Sequence, residues 1–509
     1  MAITLNGTTA VIYTNGVLAA SAASSNTPAA FSPTRNYLGK SQFAADPLFA
    51  GKLDGVTIAD YAMSAAQIGA LYNGGSSLPA YTGGSWTNNA DGNWSANANW
   101  NNGILPNGPG VLADFSSLDI TANRLVTADI NTTNGGFKFG DLAGSQTWTL
   151  TGSNTLSLDG GGGKPAGIIA VNGTATIASP MLGTGGLSKS GQGTVNLTGT
   201  NTFGAGLTVS AGTLSVGGGS SAFGAGTSTI GYLSGTGNLN LSAGNMNVGG
   251  EFRVGGSDQN GAQYVATGVV TVANATLAVS SLTVARGNYL DNTISGIITL
   301  NTGGTLVCTN DVIMGFAGTG RAKLALNGGN FIVGPTATKW LMLGYYDSEG
   351  GELALTNGVL SLDNGTSLKF CRSGNTGTNV VNQIGGRVYF FSDAGNTLGG
   401  GNLDLSYAGG ASSVSIYNLN GGVLCVPQII ATTTTGTRYF NFNGGTLKPA
   451  AASANFFAPG VVTAANVRSL GAVIDTTNLT VTIGQPLVHS MLAGDGSLDG
   501  GLAKNGVGT

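Results

Sequence analysis

The stretch GGLSKSGQGTVNLTGTNTFGAGLTVSAGTLSV, residues 185–216, decides the fold. Three short runs in it alternate apolar and small polar residues: TVNL at 194–197, LTV at 207–209 and TLSV at 213–216. A period of two marks a strand with one face buried. Between the runs lie Gly-Thr-Asn-Thr and Ala-Gly-Thr, where Gly and Asn supply backbone angles that other residues avoid. Three such strands with small-residue corners read as one coil of a β-solenoid, which needs neighbouring coils to bury its apolar side. Residues 500–509, GGLAKNGVGT, match GGLSKSGQGT at 185–194 in seven of ten positions. The chain is therefore expected to stop partway through a repeat.

The residues Gly185, Gly186, Leu187, Lys189, Gly191, Gly193, Thr194, Leu197, Thr198, Gly199, Asn201, Thr202, Phe203, Gly206, Thr208, Val209, Ala211, Gly212, Thr213 and Leu214 carry a likeness. Their pattern resembles the autotransporter-associated β-strand repeat, also called the passenger-associated transport repeat. That resemblance implies a parallel β-helix, expected to be right-handed, in an exported bacterial surface protein. It implies no chemistry, because repeats of this family are structural.

A second, longer repeat begins past residue 217. VIMGFAGTGRAKLALNGGNFIV (312–333) aligns without gaps on LMLGYYDSEGGELALTNGVLSL (341–362), 29 residues on. Equivalent strand positions fall at Val254, Val284, Met314, Leu343, Phe370 and Leu405, giving steps of 30, 30, 29, 27 and 35. Corners recur at Asn301-Thr302-Gly303-Gly304, Asn327-Gly328-Gly329, Asn420-Gly421-Gly422 and Asn443-Gly444-Gly445. Roughly 425 residues in about 14–19 coils, each rising about 4.8 Å, predict a monomeric rod of roughly 70–90 Å.

Composition fits a packed all-β chain. Gly numbers 88 of 509 and charged residues only 8%, yet 41% is apolar and regularly alternating, unlike a disordered segment. A net charge of −3 leaves no basic footprint for nucleic acid. Cys308, Cys371 and Cys425 show no metal-binding spacing and are expected to be small buried thiols. No apolar run is long enough for a membrane-spanning helix. The start, MAITLNGTTAVIY, is not a signal peptide, so an export address is expected outside this chain.

Residues 1–75 differ from the rest of the chain. Strands are expected at 2–6, 9–14, 37–40 and 56–59, with Asn15-Gly16 as a hairpin turn. Ser64 and Gln67 form a capping box for a short helix reaching Tyr72. The run through Phe49, Gly51, Leu53, Asp54, Ser64, Gln67, Ile68, Leu71 and Tyr72 resembles the C-terminal part of a laminin-G-like (concanavalin A-like) jelly roll. That resemblance implies further strands upstream, makes Met1 an internal methionine, and leaves Ile3, Leu5, Val11, Tyr13 and Ile58 partly exposed. Members of the family often bind glycans or calcium at one rim. Here only Asp46 and Asp54 remain as candidates, and both read as structural, so no cofactor is expected.

Residues 76–118 read as a Ser/Pro linker and a Trp-rich segment, and 119–509 as the β-helix. Trp86, Trp94 and Trp100 sit within fifteen residues. They could stack on sugar rings, but a cap over the open end of the solenoid core is the favoured reading. The segment also resembles the lead-in that precedes such repeats.

The catalytic inventory is short. His489 is the single histidine and has no triad spacing. The densest acids, Asp347, Glu349 and Glu352, face Gly318, Gly320 and Lys323 in the aligned unit, and read as a solvated loop. The expectation is a non-catalytic bacterial surface or secreted protein with a structural or adhesive role, with cell-surface glycans as partners. A carbohydrate-binding module is the second reading, and a polysaccharide lyase or hydrolase the third.

Overall fold

The computed structural model describes residues 1–6, 8–25, 39–41, 43, 45–51, 68, 72, 84–233, 235–257, 264–287, 293–346 and 348–509. They fall into two units, Met1–Thr82 and Gly83–Thr509.

In the first unit Ala2–Asn6, Thr9–Thr14 and Val17–Ala23 form an antiparallel meander. Asn15 (φ 54°) and Gly16 (φ 74°) both take left-handed angles, as a tight two-residue hairpin turn requires. Of the apolar residues expected to be partly exposed, Ile3 is exposed and Leu5 and Val11 are half-buried. Tyr13 is buried instead. A register shift between Ile12 and Tyr13 separates the pairing of Ile12 with Ala20 from that of Tyr13 with Leu18. Gly39 and Lys40 lie outside any strand, whereas Ile68 and Tyr72 are helical. The remaining expectations here fall outside the described residues: the strand at 56–59 with Ile58, the capping box at Ser64 and Gln67, Leu53, Asp54 and the linker at 76–81.

The second unit is a parallel β-solenoid of about 14 turns. In the early and late turns strands pair with those three before and three after, so the chain winds past three faces per turn. Between them, long strands such as Asn245–Gly256 span two faces and the partners lie two apart. The first sheet runs through Leu112–Phe115, Gly136–Phe139, Ala166–Ala170 and Leu187–Ser190. The second runs through Arg124–Thr127, Thr147–Thr151, Thr174–Ile177 and Thr194–Leu197. The third runs through Thr132–Asn134, Leu156–Leu158, Met181–Gly183 and Asn201–Phe203. At about 4.8 Å per turn this unit stacks to roughly 65 Å, just below the low end of the sequence expectation.

The diagnostic stretch holds more strands than its pattern discloses. Thr194–Leu197 and Gly212–Val216 are not two sides of one coil but the same side in successive turns, with Val195 on Leu214 and Leu197 on Val216. The missing sides are Leu187–Ser190 and Asn201–Phe203. The latter hides from a hydropathy reading because polar Asn201 occupies an inward position. Its amide donates to the Gly199 carbonyl (2.9 Å) and Ser221 Oγ (3.2 Å).

The core is built as columns. On the second sheet Val195, Leu214, Leu239, Val270, Ile298, Leu324, Leu353, Val381, Tyr417 and Phe440 stack turn upon turn, all fully buried. Each such side chain contributes about 1.5–3 kcal/mol through burial. Aromatic neighbours stack face to face, as in Phe203 on Phe223 (5.3 Å) and Tyr417 on Phe440 (5.3 Å). The 29-residue repeat is a physical register: Leu324 lies on Leu353 and Phe331 on Leu360. Val254, Val284, Met314, Leu343 and Phe370 pair in that order, and the final step of 35 is carried by Leu368 on Leu403.

Lys189 explains why the repeat carries a lysine. It is fully buried, and its ammonium donates to the carbonyls of Gly191 (2.6 Å), Gly193 (2.6 Å) and Ala211 (2.8 Å). Burial pulls its pKa down to about 8. Lys504, in the echo at 500–509, donates likewise to the carbonyls of Gly506 and Gly508.

Candidate functional site

The Trp-rich segment does not offer a sugar-stacking face. Trp86, Trp94 and Trp100 are 0%, 0% and 2% exposed. Their rings pack edge-on to one another at 4.8–5.0 Å and against Phe115. Trp100 Nε1 donates to the Trp94 carbonyl (2.8 Å) and Trp86 Nε1 to that of Asn88 (2.7 Å). These rings are enclosed by one another and by Phe115 and leave no open face. From residue 83 on, the segment belongs to the solenoid unit, and Gly92–Asn93 pairs with Val126 and Thr127 in its first turns.

The catalytic candidates do not converge. His489 Nδ1 lies 3.0 Å from Asp499 Oδ2, a carboxylate partner the spacing did not disclose. The adjacent hydroxyl of Ser490 points elsewhere, donating to Asp495, which also holds Arg468. Hydrogen bonds from Arg468 and Ser490 hold the Asp495 carboxyl below the usual carboxylate range. Glu352 is paired with Lys323 at 3.4 Å, so the lysine of one repeat unit neutralises the acid of the next. Asp347 lies outside the described residues, and Glu349 is exposed. In the first unit Asp46 is exposed in a bend. Among the described residues no group of three or more His, Cys, Asp or Glu is placed to hold a metal ion. The three thiols are free and buried, and burial pushes Cys308 up to about 12 and Cys425 to about 11, far from a reactive thiolate.

What the structure does assemble lies on the outer side of the first sheet. In successive turns one strand residue takes a left-handed angle at the same place: Gly255 (φ 72°), Ala285 (57°), Gly315 (77°), Gly344 (76°) and Cys371 (57°). Such a residue kinks the strand and re-aims the side chain after it. Four of those following residues form a four-layer stack. Arg286 lies over Phe316 (4.5 Å), Phe316 stacks on Tyr345 (5.2 Å, 19°), and Arg372 caps Tyr345 (5.0 Å). Beside it Lys369 lies between Trp340 (4.2 Å) and Tyr407 (3.8 Å). Each cation–ring contact is worth about 0.5–2 kcal/mol, depending on desolvation. At the upstream end Glu251 accepts from Arg253 (2.7 Å) and Thr283 (2.6 Å) and pairs with Arg286 (3.4 Å). Burial opposes its ionisation, but these hydrogen bonds and charges outweigh it and hold the carboxyl below its usual value.

Next to the stack the chain turns a corner and leaves an open groove of about 360 Å³. Gly318, Thr319, Arg321, Ser348, Glu349, Thr376, Gly377 and Thr378 line it, from three successive turns. Tyr346, 45% exposed, is not among the lining residues; its ring packs edge-on to Tyr345 (4.4 Å) and Phe316 (5.5 Å) of the stack. The floor is fixed from beneath by two fully buried asparagines. Asn375 donates to the Tyr346 carbonyl (2.9 Å) and to Ser348 (2.9 Å to Oγ). Asn379 donates to Asn375 Oδ1 (2.9 Å) and to Cys371 Sγ (3.1 Å), and accepts from the Gly351 amide (3.0 Å). Sequence reading missed this site. The Gly315-Phe316 and Gly344-Tyr345 pairs, aligned in the 29-residue repeat, were its legible trace.

Comparison with known proteins agrees with the resemblances seen in the sequence. Residues 1–69 match the family described as the concanavalin A-like lectin/glucanases superfamily. A stretch of 130 residues is 38% identical to the adhesin BmaC autotransporter of Brucella suis biovar 1 (strain 1330), covering 24% of this chain and 4% of that protein. The chain thus spans a small fraction of the length of the curated relative it matches. No solved structure matches.

Proposed function

We propose that the chain is part of a bacterial adhesin, displayed at the surface or secreted, in which the solenoid is a non-catalytic stalk. The observation that carries this reading is the 38% identity to an autotransporter adhesin over 130 residues, in a chain that folds as a parallel solenoid. Separation of the catalytic candidates supports it: Ser490 turns away from His489, and Glu352 is spent on Lys323. No helix among the described residues is long and apolar enough to cross a membrane. Beads coated with the full chain should be retained on epithelial cell layers, and albumin-coated beads should wash off. Equal retention of both would overturn the reading.

A second reading gives the first unit a glycan-binding role, favoured by its match to the concanavalin A-like lectin/glucanases superfamily. Its described strands expose apolar side chains rather than a ring of polar groups. The adhesive reading of the whole chain does not depend on it.

A further inference from the structure

Several cations of the solenoid are spent on carboxylates: Lys138 on Asp114 (3.6 Å), Arg253 and Arg286 on Glu251, and Lys448 on Asp475 (3.8 Å). Around Trp340 the pattern breaks. Lys339, Lys369 and Arg372 are half-buried, and among the described residues their side chains make no hydrogen bond and no ion pair. Lys369 and Arg372 both lie over Trp340, at 4.2 and 4.7 Å, and Lys369 also lies over Tyr407 (3.8 Å). A ring attracts a cation but gives its N–H donors no oxygen to bond. Two carboxylates act on Lys369 from a distance, and neither pairs with it. Asp404 is 1% exposed and already accepts from the amides of Ser406 (3.2 Å) and Thr432 (3.1 Å) and from the Thr432 hydroxyl (2.5 Å). Asp311 is exposed and accepts from the Trp340 amide (3.0 Å). Burial holds the Lys369 ammonium below its usual pKa; Asp404 and Asp311 oppose that shift, and Arg372 adds to it. An oxyanion arriving here meets three cations that lack a partner. A neutral sugar gains little, because cations already engage the Trp340 and Tyr407 rings. Trp340 pairs with Ser367 and Tyr345 with Arg372, so Lys339 belongs to the turn before Lys369 and Arg372. Their backbone positions spread over roughly 15–20 Å of sheet, which suits an extended polyanion better than a single small ion.

We infer that the face around Trp340 binds an acidic polysaccharide, whose sulfate or carboxylate groups are received by Lys339, Lys369 and Arg372. The inference deepens the adhesive reading and rests on it, since it gives the solenoid a surface ligand that is held and not cut. The site carries its own reporter: Trp86, Trp94, Trp100 and Trp148 are at most 2% exposed, whereas Trp340 is half-buried among the three cations. The test is titration of the full chain, by calorimetry and tryptophan fluorescence, with a heparin octasaccharide and octagalacturonate. Maltooctaose, inorganic sulfate and single-stranded DNA are the comparison ligands. At least one acidic octasaccharide should bind saturably, alter the fluorescence and bind more weakly as salt rises. Lys369→Met and Arg372→Met should each weaken it about tenfold or more, the loss of a charge-assisted hydrogen bond. Lys369→Arg should keep most of the affinity, which separates lost charge from a lost fold. Arg387→Met, exposed on the third sheet, removes the same charge and should leave binding unchanged. The inference fails if neither acidic octasaccharide binds, if maltooctaose binds as well as they do, or if inorganic sulfate or DNA binds more tightly. It fails equally if the Lys369→Met and Arg372→Met variants bind like the parent. Coated beads that adhere while both acidic sugars are ignored would sink this site and leave the adhesive reading standing. Acidic sugars bound by a chain whose beads wash off would do the reverse.

Discussion

Gly344 stands where the first sheet kinks, and nothing larger fits. A Cβ there would collide with Asn379 Oδ1 and lie 2.8 Å from Asn375 Oδ1, with φ at 76°. Gly374 has nearly the same angle (φ 79°) but open space around it. Gly374→Ala should therefore show the backbone cost alone, about 1–2 kcal/mol. Gly344→Ala should cost more and should disturb the buried asparagines, which chemical denaturation of the two variants would resolve. Equal losses would mean that the asparagine network is not the constraint. Glu251 gives a second test. Its folded carboxyl lies below the ordinary value, so its contribution is complete above about pH 4.3 and is lost as pH falls through the lower folded value. The melting-temperature gap between the parent and Glu251→Gln should close on acidification from about pH 6 to about pH 3. A gap independent of pH would contradict this. At this scale the sequence was half legible. Glycines 315 and 344 marked the kink through their alignment, but Ala285 and Cys371 take the same left-handed angle in the neighbouring turns. No rule of residue preference finds them, because tertiary packing holds them there.

The element that sets the early turns is the corner tied by Lys189. Its ammonium occupies three backbone carbonyls that no other donor reaches so closely. Lys189→Met should remove this donor from all three, leaving Gly193 O only the longer bond from the Thr213 N–H (3.3 Å), and cost about 3 kcal/mol. Lys504→Met should cost less, because Lys504 is exposed. Hydrogen exchange near Gly191 and Gly212 would report the first change locally, and unaltered protection would refute the role. Outward ladders serve the later turns: Asn418 donates to Asn382, Asn441 to Asn418 and Asn466 to Asn441, each at 2.7 Å. Strand existence was readable from alternation, yet assignment to faces was not. Three-residue strands such as Asn201–Phe203 are too short for a period to show, and their inward polar residue breaks the one signal available. Long repeats were easier, because 29-residue steps are the hydrogen-bonded register itself.

At the scale of the molecule, the two units differ in how their strands are protected. Every residue of Val17–Ala23 is exposed, whereas the solenoid strands bury alternate residues along nearly their whole series. Limited proteolysis should cut within residues 1–82 well before the 245–475 region, and hydrogen exchange should rank them in the same order. Comparable protection of both units would contradict that ranking. The division into a jelly-roll-like start and a long solenoid was legible, since composition, turn residues and repeats all pointed one way. The stack of Arg286, Phe316, Tyr345 and Arg372 was not, because it forms from residues about 30 apart whose alignment matters only once the turns are stacked. The reading of the chain as a holder of ligands rather than a catalyst is tested most directly by the mass of what it binds. After prolonged incubation of the full chain with neutral and acidic tetrasaccharides, every sugar recovered should keep its starting mass, including the one retained by the protein. Shortened or unsaturated products, abolished by Glu349→Gln or by removal of His489, would contradict it.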